Sequence, residues 1–270
     1  MSQSEKAERF RALHQGPGAF VIGNPWDAGS ARILAGLGFA ALATSSGAFA
    51  GTLGRRDGRV SRDEALAHAR AVVEAVDLPV SADLENGFGH APSDVGETVR
   101  LAAAGLVGCS IEDATGYKDR PLYSFYEAVE RITAAAEAAR SLGFGFMLTA
   151  RSENFLRGNT DLDDTIKRLK AFEKAGADVL MAPGLPDLAA VQAVCAAVSR
   201  PVNFMAGIRG KSFSTAELAA AGVRRISLAT SLYRAAMTGL VDAAQQVSRG
   251  NFGYMETTMT TPELNAFMQE

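Results

Sequence analysis

The sequence predicts an α/β protein that folds as a (β/α)8 TIM-type barrel. Eight short apolar runs, each typical of a buried strand, recur along its 270 residues, at 19–23, 40–45, 79–83, 108–112, 145–151, 179–182, 201–205 and 225–229. Stretches with helical periodicity separate these runs, and eight such strand–helix units are the pattern of this barrel. An open, doubly wound sheet is the alternative, but no glycine-rich dinucleotide motif follows the first strand.

The predicted helices are alanine-, leucine- and arginine-rich stretches around the strands. A charged segment, 1–15, comes before the first strand, and later helices are expected at 62–76, 125–141, 161–175, 188–199 and 215–221. Glycine follows several helices shortly before the next strand, as expected of a left-handed C-cap: Gly38, Gly105, Gly143, Gly176 and Gly222. We expect residues 1–270 to form one barrel domain, with a C-terminal helical extension from about residue 240 and an irregular tail from 250.

Composition limits the possible functions. With 47% hydrophobic residues the chain can bury a large core, and its net charge of −3 comes without a basic stripe, which argues against nucleic-acid binding. Cys109 and Cys195 lie in apolar segments without metal-ligand spacing, as in a reduced cytoplasmic protein. No apolar run approaches the roughly 20 residues of a membrane span. We therefore expect a cytoplasmic protein that binds neither membrane nor nucleic acid.

Acidic residues follow two neighbouring predicted strands. Asp83 and Glu85 come at the end of the third strand, and Glu112 at the end of the fourth. Because side chains alternate along a strand, Asp83 and Glu85 should face the same way, and two like charges so placed need a cation or a shared proton. A hard divalent ion such as Mg²⁺, which prefers oxygen ligands, fits this set. The alternative is an acid cluster on a surface loop, or helix N-caps.

Other polar residues follow the remaining strands and should meet these acids at the C-terminal face, where barrels of this kind hold their active sites. The candidates for substrate binding are Trp26, Ser45, Ser46, Gly47 and Asn203. Residues 45–47 offer hydroxyl and N–H groups to a substrate carboxylate, and Arg151 offers a bidentate guanidinium to an anionic oxygen. Together with a metal, such a site suits the stabilisation of an enolate.

Five motifs stand out together along the chain: Thr44-Ser45-Ser46-Gly47, Leu53-Gly54-Arg55-Arg56-Asp57, Asp83-Leu84-Glu85-Asn86-Gly87-Phe88-Gly89, Ile111-Glu112-Asp113 and Thr149-Ala150-Arg151-Ser152-Glu153. With their spacing, the chain resembles the isocitrate lyase/phosphoenolpyruvate mutase superfamily over roughly residues 20–240. The resemblance implies a (β/α)8 barrel that uses Mg²⁺, with Mn²⁺ left open, and a homotetramer in which paired subunits swap a C-terminal helix. It also implies chemistry on a 2-oxo acid or enolpyruvate that breaks or forms a C–C or C–P bond.

The resemblance also assigns roles to individual residues. Residues 45–47 match the pocket for the substrate carboxylate, Arg151 matches the substrate-binding arginine, and Asn203 matches a polar residue of the seventh strand. In the metal site, Asp83 matches the direct ligand. Three further carboxylates match the residues that hold the metal through water: Asp57, Glu85 and Glu112. The role of Asp57 comes from the resemblance alone, because the residues around it otherwise predict an ordinary turn.

The chain departs from the lyase branch at two places. That branch carries a catalytic cysteine in a Lys-Lys/Arg-Cys-Gly-His loop after the fourth strand, whereas residues 114–123 contain no Cys or His. Cys109 lies within the preceding strand, where a thiol packs as a small apolar side chain. The sixth strand ends in Met181-Ala182-Pro183-Gly184, where lyases carry a Glu. Cleavage of isocitrate or methylisocitrate by the usual route is therefore not expected.

The loop after the fourth strand carries the remaining catalytic candidates. The phosphonomutase branch has a Lys and an Asn there, which this chain does not match cleanly, but Lys118 and Arg120 can still meet a second anionic group when the loop closes. The alternative is that both are solvated loop charges. Tyr117 and Tyr123 are potential proton donors, or they pack the loop down, and His90 is expected to be a surface histidine rather than a base.

We therefore predict a Mg²⁺-dependent enzyme that cleaves or rearranges a C–C or C–P bond of a small 2-oxo acid through a metal-stabilised enolpyruvate. Reactions like those of oxaloacetate decarboxylase, phosphonopyruvate hydrolase and phosphonomutase all remain open. The alternatives are an isocitrate- or 2-methylisocitrate-type lyase with a different proton donor, and a non-catalytic relative that binds 2-oxo acids. The expected partners are a small 2-oxo acid or phosphonate and further copies of this chain.

Overall fold

Eight parallel strands form the barrel. The computed structural model describes residues 1–211 and 213–268. The strands are β1 Phe20–Ile22, β2 Leu42–Ala43, β3 Val80–Asp83, β4 Gly108–Glu112, β5 Met147–Arg151, β6 Val179–Met181, β7 Val202–Met205 and β8 Arg225–Ser227. Their hydrogen-bonded order is β1-β8-β7-β6-β5-β4-β3-β2, and a parallel bridge between Gly23 and Leu42 joins β1 to β2, so the barrel is nearly closed. The predicted fold is confirmed, and each strand lies within one of the eight predicted runs.

Helices separate the strands and surround them. They are α1 Gln3–Gln15, α2 Ala28–Gly36, α3 Ser46–Thr52, α4 Arg62–Ala75, α5 Pro92–Ala102, α6 Phe125–Arg140, α7 Leu162–Lys174, α8 Leu188–Ala197, α9 Thr215–Ala220, α10 Ser231–Val247 and α11 Thr261–Asn265. Capping boxes fix several starts; at α6, for example, Ser124 and Glu127 each accept the other's backbone N–H. Within the described ranges, no helix combines the length and apolar character that a membrane crossing requires.

Helix α1 covers the N-terminal end of the barrel. Its buried Ala7 and Phe10 pack with Val107, Met147 and Val179, which lie at or just before the starts of β4, β5 and β6. A larger apolar core fills the space between the strands and the surrounding helices. Because one end is covered by α1, the C-terminal end is the one left for a site, as this fold predicts.

Helix α10 lies on the surface of the chain. None of its residues is buried, and it exposes Leu240, Val241 and Val247 by 60%, 51% and 42%. A turn of 3-10 helix, Gly253–Thr257, and the short α11 follow it, in the region where the sequence predicts an irregular tail. Phe267 folds back so closely on α2 that a Cβ added to Gly36 would lie 2.7 Å from its ring. The exchange of a C-terminal helix between subunits stays a prediction.

Candidate active site

A cavity of about 950 Å³ opens at the C-terminal end of the barrel. It brings together nine of the residues that the sequence singled out: Ser45, Ser46, Gly47, Asp57, Asp83, Glu85, Glu112, Arg151 and Asn203. Four of them lie in strands β3, β4, β5 and β7, and the others lie in the loops or the helix α3 that follow β2 and β3. They meet because the ends of neighbouring parallel strands converge on one rim. The cavity is therefore the candidate active site.

Arg151, at the end of β5, lies among three carboxylates. Its Nη1 is 3.0 Å from Oδ1 of Asp83, and its Nη2 is 3.0 Å from Oε2 of Glu112 and 2.8 Å from Oε1 of Glu153. Residues Glu112 and Arg151 are register partners in the β4–β5 pair, which explains why they meet. Burial alone lowers the pKa of Arg151, but Glu153, Glu112 and Asp83 outweigh it and hold this pKa above its ordinary value. Arg151 is therefore a permanent cation inside the cavity.

Asp83 is held on both carboxylate oxygens. Its Oδ2 accepts the backbone N–H of Ser46 at 3.2 Å and the Ser46 hydroxyl at 2.9 Å, while Oδ1 accepts Nη1 of Arg151 at 3.0 Å. The Asp83 backbone N–H donates to Oγ1 of Thr44 at 3.0 Å. The turn after β2 and the arginine of β5 thus fix the orientation of this carboxylate before any ligand binds.

Glu153 belongs to one of the sequence motifs, but the sequence suggested no role for it. Its side chain is 1% exposed, and Oε1 accepts Nε and Nη2 of Arg151 at 3.1 and 2.8 Å. Arg157 lies 3.4 Å from Glu112 and 3.7 Å from Glu153, so it adds a second cation at the rim. Burial, followed by the charge of Glu153, raises the pKa of Glu112. The signal available in the sequence was an acid two residues after the strand-end arginine.

Glu85 reaches the cavity by a different route from the one predicted. Strand β3 ends at Asp83, and Glu85 has a φ of 48°, in the left-handed region, so the alternation of strand side chains does not extend to it. Its Oε1 is buried without a hydrogen-bond partner among the described residues. Burial, and then the charges of Asp83 and Asp57, raise the pKa of Glu85 to about 7. A buried carboxylate oxygen without a partner is costly unless a cation or proton meets it.

Asp57 lies on the exposed loop between α3 and α4, but it lines the cavity. A Cβ added to Gly47 would lie 3.2 Å from Cγ of Asp57, so the two residues are in close contact and any larger side chain at position 47 would press on Asp57. Burial of the carboxyl, and then the charge of Asp83, raise the pKa of Asp57. The structure therefore brings the loop acid to the strand-end acids, as the resemblance implied.

Asn203 lines the cavity, but both atoms of its side-chain amide form hydrogen bonds within the barrel. Its Nδ2 donates to Oγ of Ser227 at 2.9 Å, and its Oδ1 accepts Nε of Arg225 at 2.9 Å. Arg225 is 5% exposed, and burial lowers its pKa to about 9. The role of Asn203 in substrate binding stays a prediction.

Three predicted site residues are not among those that line the cavity. The ring of Trp26 packs against Tyr233, with the ring centroids 5.5 Å apart. Arg120 pairs with Glu127 at 3.2 Å, and Lys118 lies exposed in the same loop. Their roles in substrate binding and catalysis stay predictions.

The loop after β4 instead presents tyrosine to the cavity. Tyr117 and His90 both line it, and Nε2 of His90 is 2.9 Å from Oη of Tyr117. Nδ1 of His90 is 2.6 Å from Oη of Tyr123. His90 is exposed, as predicted, but it joins the two loop tyrosines, a contact that the sequence did not suggest.

Cys109 does not take part in this site. It is 0% exposed, and burial raises the pKa of its thiol. The prediction that it belongs to the core is confirmed, and it cannot replace the cysteine of the lyase branch.

A comparison with known protein families shows which family the chain belongs to. The family model described as phosphoenolpyruvate phosphomutase matches residues 10–248. The chain belongs to this family. The predicted membership of the isocitrate lyase/phosphoenolpyruvate mutase superfamily is thereby confirmed, and with it the prediction that the chain is an enzyme of the lyase and mutase type.

Individual family members have different reactions in their names. A solved structure from Burkholderia cenocepacia J2315, described as a candidate lyase/mutase, is 53% identical with a TM-score of 0.96, over 98% of this chain and 96% of that one. A candidate phosphonomutase from the same organism is 37% identical with a TM-score of 0.83, over 91% and 99%. Oxaloacetate decarboxylase of Marinomonas sp. (strain MWYL1) is 28% identical over 98% of this chain and 91% of that protein.

Proposed function

We propose that this chain is a Mg²⁺-dependent enzyme that cleaves a C–C bond of a small 2-oxo acid through an enolpyruvate, with oxaloacetate decarboxylation as the first candidate reaction. The observation that carries the proposal is the cluster in which Arg151 meets Asp83 and Glu112, together with the oxygen of Glu85 that has no partner in the part of the chain that the structure describes. It lies in a cavity large enough for a small dicarboxylate. The similarity to oxaloacetate decarboxylase supports the same reaction class.

The donor set fits a hard divalent cation held largely through water. Asp57, Asp83, Glu85 and Glu112 supply oxygen donors, which Mg²⁺ prefers. Within residues 1–211 and 213–268, the buried Oε1 of Glu85 has no hydrogen-bond partner. In the described part of the chain, no three His, Cys, Asp or Glu side chains are grouped as direct metal ligands. One direct carboxylate with the others acting through water satisfies both observations, since Mg²⁺ usually keeps several waters. Asp83 is the proposed direct ligand.

The chain's own residues would bind and orient the substrate. Residues 45–47 line the cavity next to Asp83. Because the N–H and hydroxyl of Ser46 donate to Asp83, the hydroxyl of Ser45 and the N–H of Gly47 are the groups that would bind the substrate carboxylate. Arg151 provides a buried guanidinium that favours an anionic oxygen developing in the cavity. When bound, Mg²⁺ would supply the Lewis acidity that stabilises an enolate. The burial of the cluster strengthens each of these electrostatic interactions.

A phosphonate reaction is the second candidate. It is favoured by the 37% identity to a candidate phosphonomutase. It would need a cationic contact for the phosphonate, and Lys118 and Arg120 do not line the cavity as the structure stands. Arg59, Arg157 and Arg234 do line it; Arg157 contacts Glu112, and Arg234 donates to the carbonyl of Gly207. We rank this reaction second because the two residues expected to meet the phosphonate, Lys118 and Arg120, lie outside the lining.

Pyruvate release from a panel of oxaloacetate, phosphonopyruvate and 2-methylisocitrate, each with Mg²⁺ and with chelator, tests the proposal. Chelator-sensitive release from oxaloacetate, above the rate without enzyme, supports it. Release of pyruvate, or formation of phosphoenolpyruvate, from phosphonopyruvate alone selects the second candidate. The variant Asp83→Ala should be inactive in either case. Silence of the wild-type enzyme across the panel, with oxalate still binding in the presence of Mg²⁺, would favour a 2-oxo-acid-binding relative instead.

A further inference from the structure

A chain of hydrogen-bonding side chains runs from the acid loop after β3 to the wall of the cavity. Nδ2 of Asn86 lies 3.4 Å from Oη of Tyr123, which lies 2.6 Å from Nδ1 of His90. Nε2 of His90 lies 2.9 Å from Oη of Tyr117. Asn86, His90 and Tyr117 line the same cavity as Asp83 and Arg151.

The direction of this chain is set at its inner end. Oδ1 of Asn86 accepts the backbone N–H of Phe88 at 3.1 Å, so the amide nitrogen is the group that faces Tyr123, and it can only donate. Tyr123 therefore accepts from Asn86, and we assign its own proton to Nδ1 of His90, which corresponds to the tautomer of His90 with hydrogen on Nε2. In a neutral imidazole whose Nδ1 accepts, Nε2 carries the hydrogen, which it donates to Tyr117.

With the hydrogen bonds in these directions, none of the other three side chains, Asn86, Tyr123 and His90, accepts the hydroxyl proton of Tyr117. Each of the inner hydrogens is used: the amide of Asn86 on Tyr123, the hydroxyl of Tyr123 on His90, and Nε2–H of His90 on Tyr117. The oxygen of Tyr117 accepts a hydrogen bond, which also stabilises the negative charge that remains when its proton leaves. Tyr117 is thus arranged as a donor toward the cavity.

The inner members of the chain are held in place by Arg131. This residue is 2% exposed, and its guanidinium donates to the backbone carbonyls of Asn86, Gly89 and His90. It also lies 4.1 Å from the centroid of the Tyr123 ring, at cation–π distance. Burial raises the pKa of Tyr123, which keeps that hydroxyl protonated. The outer tyrosine, Tyr117, is 51% exposed and can recover a proton from water.

We propose that Tyr117 is the general acid that protonates the substrate carbon, and that Asn86, Tyr123 and His90 are positioning residues that set its polarity. The inference rests on the proposed enolpyruvate chemistry, which ends with a proton arriving at C3. The cysteine that would serve elsewhere in the superfamily has no counterpart in the loop, and Cys109 is buried in the core. Tyr117, which lies in this loop, would supply the proton that the cysteine supplies there.

The step balances without a further reagent. Cleavage of the C3–C4 bond of oxaloacetate releases CO₂ and leaves its electron pair in the enolate. The O–H bond of Tyr117 then breaks, the proton adds to C3, and the enolate pair forms the new C–H bond while C2=O is restored. The phenolate of Tyr117, hydrogen-bonded by Nε2–H of His90, takes a proton back from water, so that one proton from solvent is consumed in each turnover.

Two readouts separate this role from a structural one. Release of CO₂ from oxaloacetate reports C–C cleavage, whereas exchange of the C3 hydrogens of pyruvate for deuterium in D₂O, followed by NMR, reports the proton transfer in reverse. Tyr117→Phe should lower the exchange rate by about 100-fold or more. In a single turnover, with enzyme in excess over oxaloacetate, it should lower CO₂ release by less than about 3-fold, because the proton arrives after the bond has broken.

The positioning residues and a matched control complete the test. His90→Asn and Tyr123→Phe should also lower exchange more than CO₂ release, but less than Tyr117→Phe does. Tyr126→Phe, which changes a tyrosine 78% exposed on α6, should alter neither. Undiminished exchange in Tyr117→Phe, or equal losses of both rates, would overturn the assignment. A wild-type enzyme that shows neither rate with Mg²⁺ would overturn the proposed function and the assignment with it, whereas exchange without decarboxylation would support the assignment alone.

Discussion

Nη1 of Arg151 lies 3.0 Å from Oδ1 of Asp83, so the last residue of β5 neutralises the last residue of β3 across the end of the barrel. Both side chains are largely buried, at 13% and 16% exposed. The same guanidinium also contacts Glu112 and Glu153. Arg151 therefore contacts all three carboxylates, whereas Arg157 approaches only Glu112 and Glu153, so the stability of the cluster depends chiefly on Arg151.

The first prediction concerns the removal of that cation. Arg151→Gln leaves Glu112 and Glu153 with less opposing charge in a buried setting, and it should lower the free energy of unfolding by about 3–5 kcal/mol. Urea denaturation monitored by circular dichroism measures the change. Arg120→Gln is the matched control, because its pair with Glu127 is about half exposed and should be worth no more than about 1 kcal/mol. Equal losses in the two variants would contradict the buried role of Arg151.

The second prediction concerns metal binding. Because a ligand that binds only the folded state stabilises it, Mg²⁺ should raise the melting temperature of the wild-type protein, and EDTA should reverse the rise. Asp83→Ala should abolish the shift. Asp63→Ala, at a side chain 91% exposed on α4, should leave it unchanged. Calorimetric titration with Mg²⁺ checks the same point directly, and full Mg²⁺ affinity in Asp83→Ala would show that this residue is not the ligand.

The sequence predicts this fold well because its signals are local and repeated. Each of the eight apolar runs contains an observed strand, and the acids at the ends of β3 and β4 meet because those strands are neighbours in the barrel. The position of Asp83 follows from this order alone. The approach of Asp57 depends instead on how the exposed loop after α3 folds, and only the family motif indicated it.

Features that depend on turns and side-chain partners were not predictable in the same way. The left-handed φ of Glu85 breaks the strand pattern, so its direction does not follow from its position two residues after Asp83. The sequence shows that Arg120 is charged but not what it pairs with. In the structure it pairs with Glu127 on the next helix, and it is not among the residues that line the cavity. The contact of His90 with two tyrosines arises where two loops meet, 27 and 33 residues apart along the chain.

The third prediction concerns His14, which α1 buries against the end of the barrel. Its Nδ1 lies 2.8 Å from the carbonyl oxygen of Phe10 and must therefore carry a hydrogen, while Nε2 faces Nη1 of Arg225 at 3.4 Å as an acceptor. Burial, and then the charge of Arg225, lower the pKa of His14 to about 3 from 6.5. The folded state therefore holds this ring neutral over a range in which the unfolded chain binds a proton.

The sign of the resulting pH dependence follows from that difference. Below pH 6.5 the unfolded state gains a proton that the folded state does not bind until about pH 3, so the contribution of His14 falls as the pH falls through this window. The slope is at most about 1.4 kcal/mol per pH unit for one proton. His14→Gln lacks this slope. As the pH falls from 7.5 to 5, the wild type should therefore lose more unfolding free energy than the variant does. A difference independent of pH, measured by urea denaturation, would show that His14 is not held neutral.

The last prediction concerns the close approach of β4 and β5. A Cβ added to Gly108 would lie 2.5 Å from the backbone oxygen of Met147, its register partner, and a backbone atom cannot move aside as the end of a flexible side chain can. Gly108→Ala should therefore shift β4 against β5 and lower the melting temperature by several degrees, as expected for an overpacked core that loses about 1–3 kcal/mol. Because Glu112 and Arg151 end this same pair of strands, the variant should also lower Mg²⁺-dependent turnover. Gly29→Ala, where the added Cβ meets only Oδ1 of Asp27 at 3.6 Å, is the matched control and should retain both properties. Wild-type stability in Gly108→Ala would mean that the two strands can separate at this point without disturbing the acid cluster at their ends.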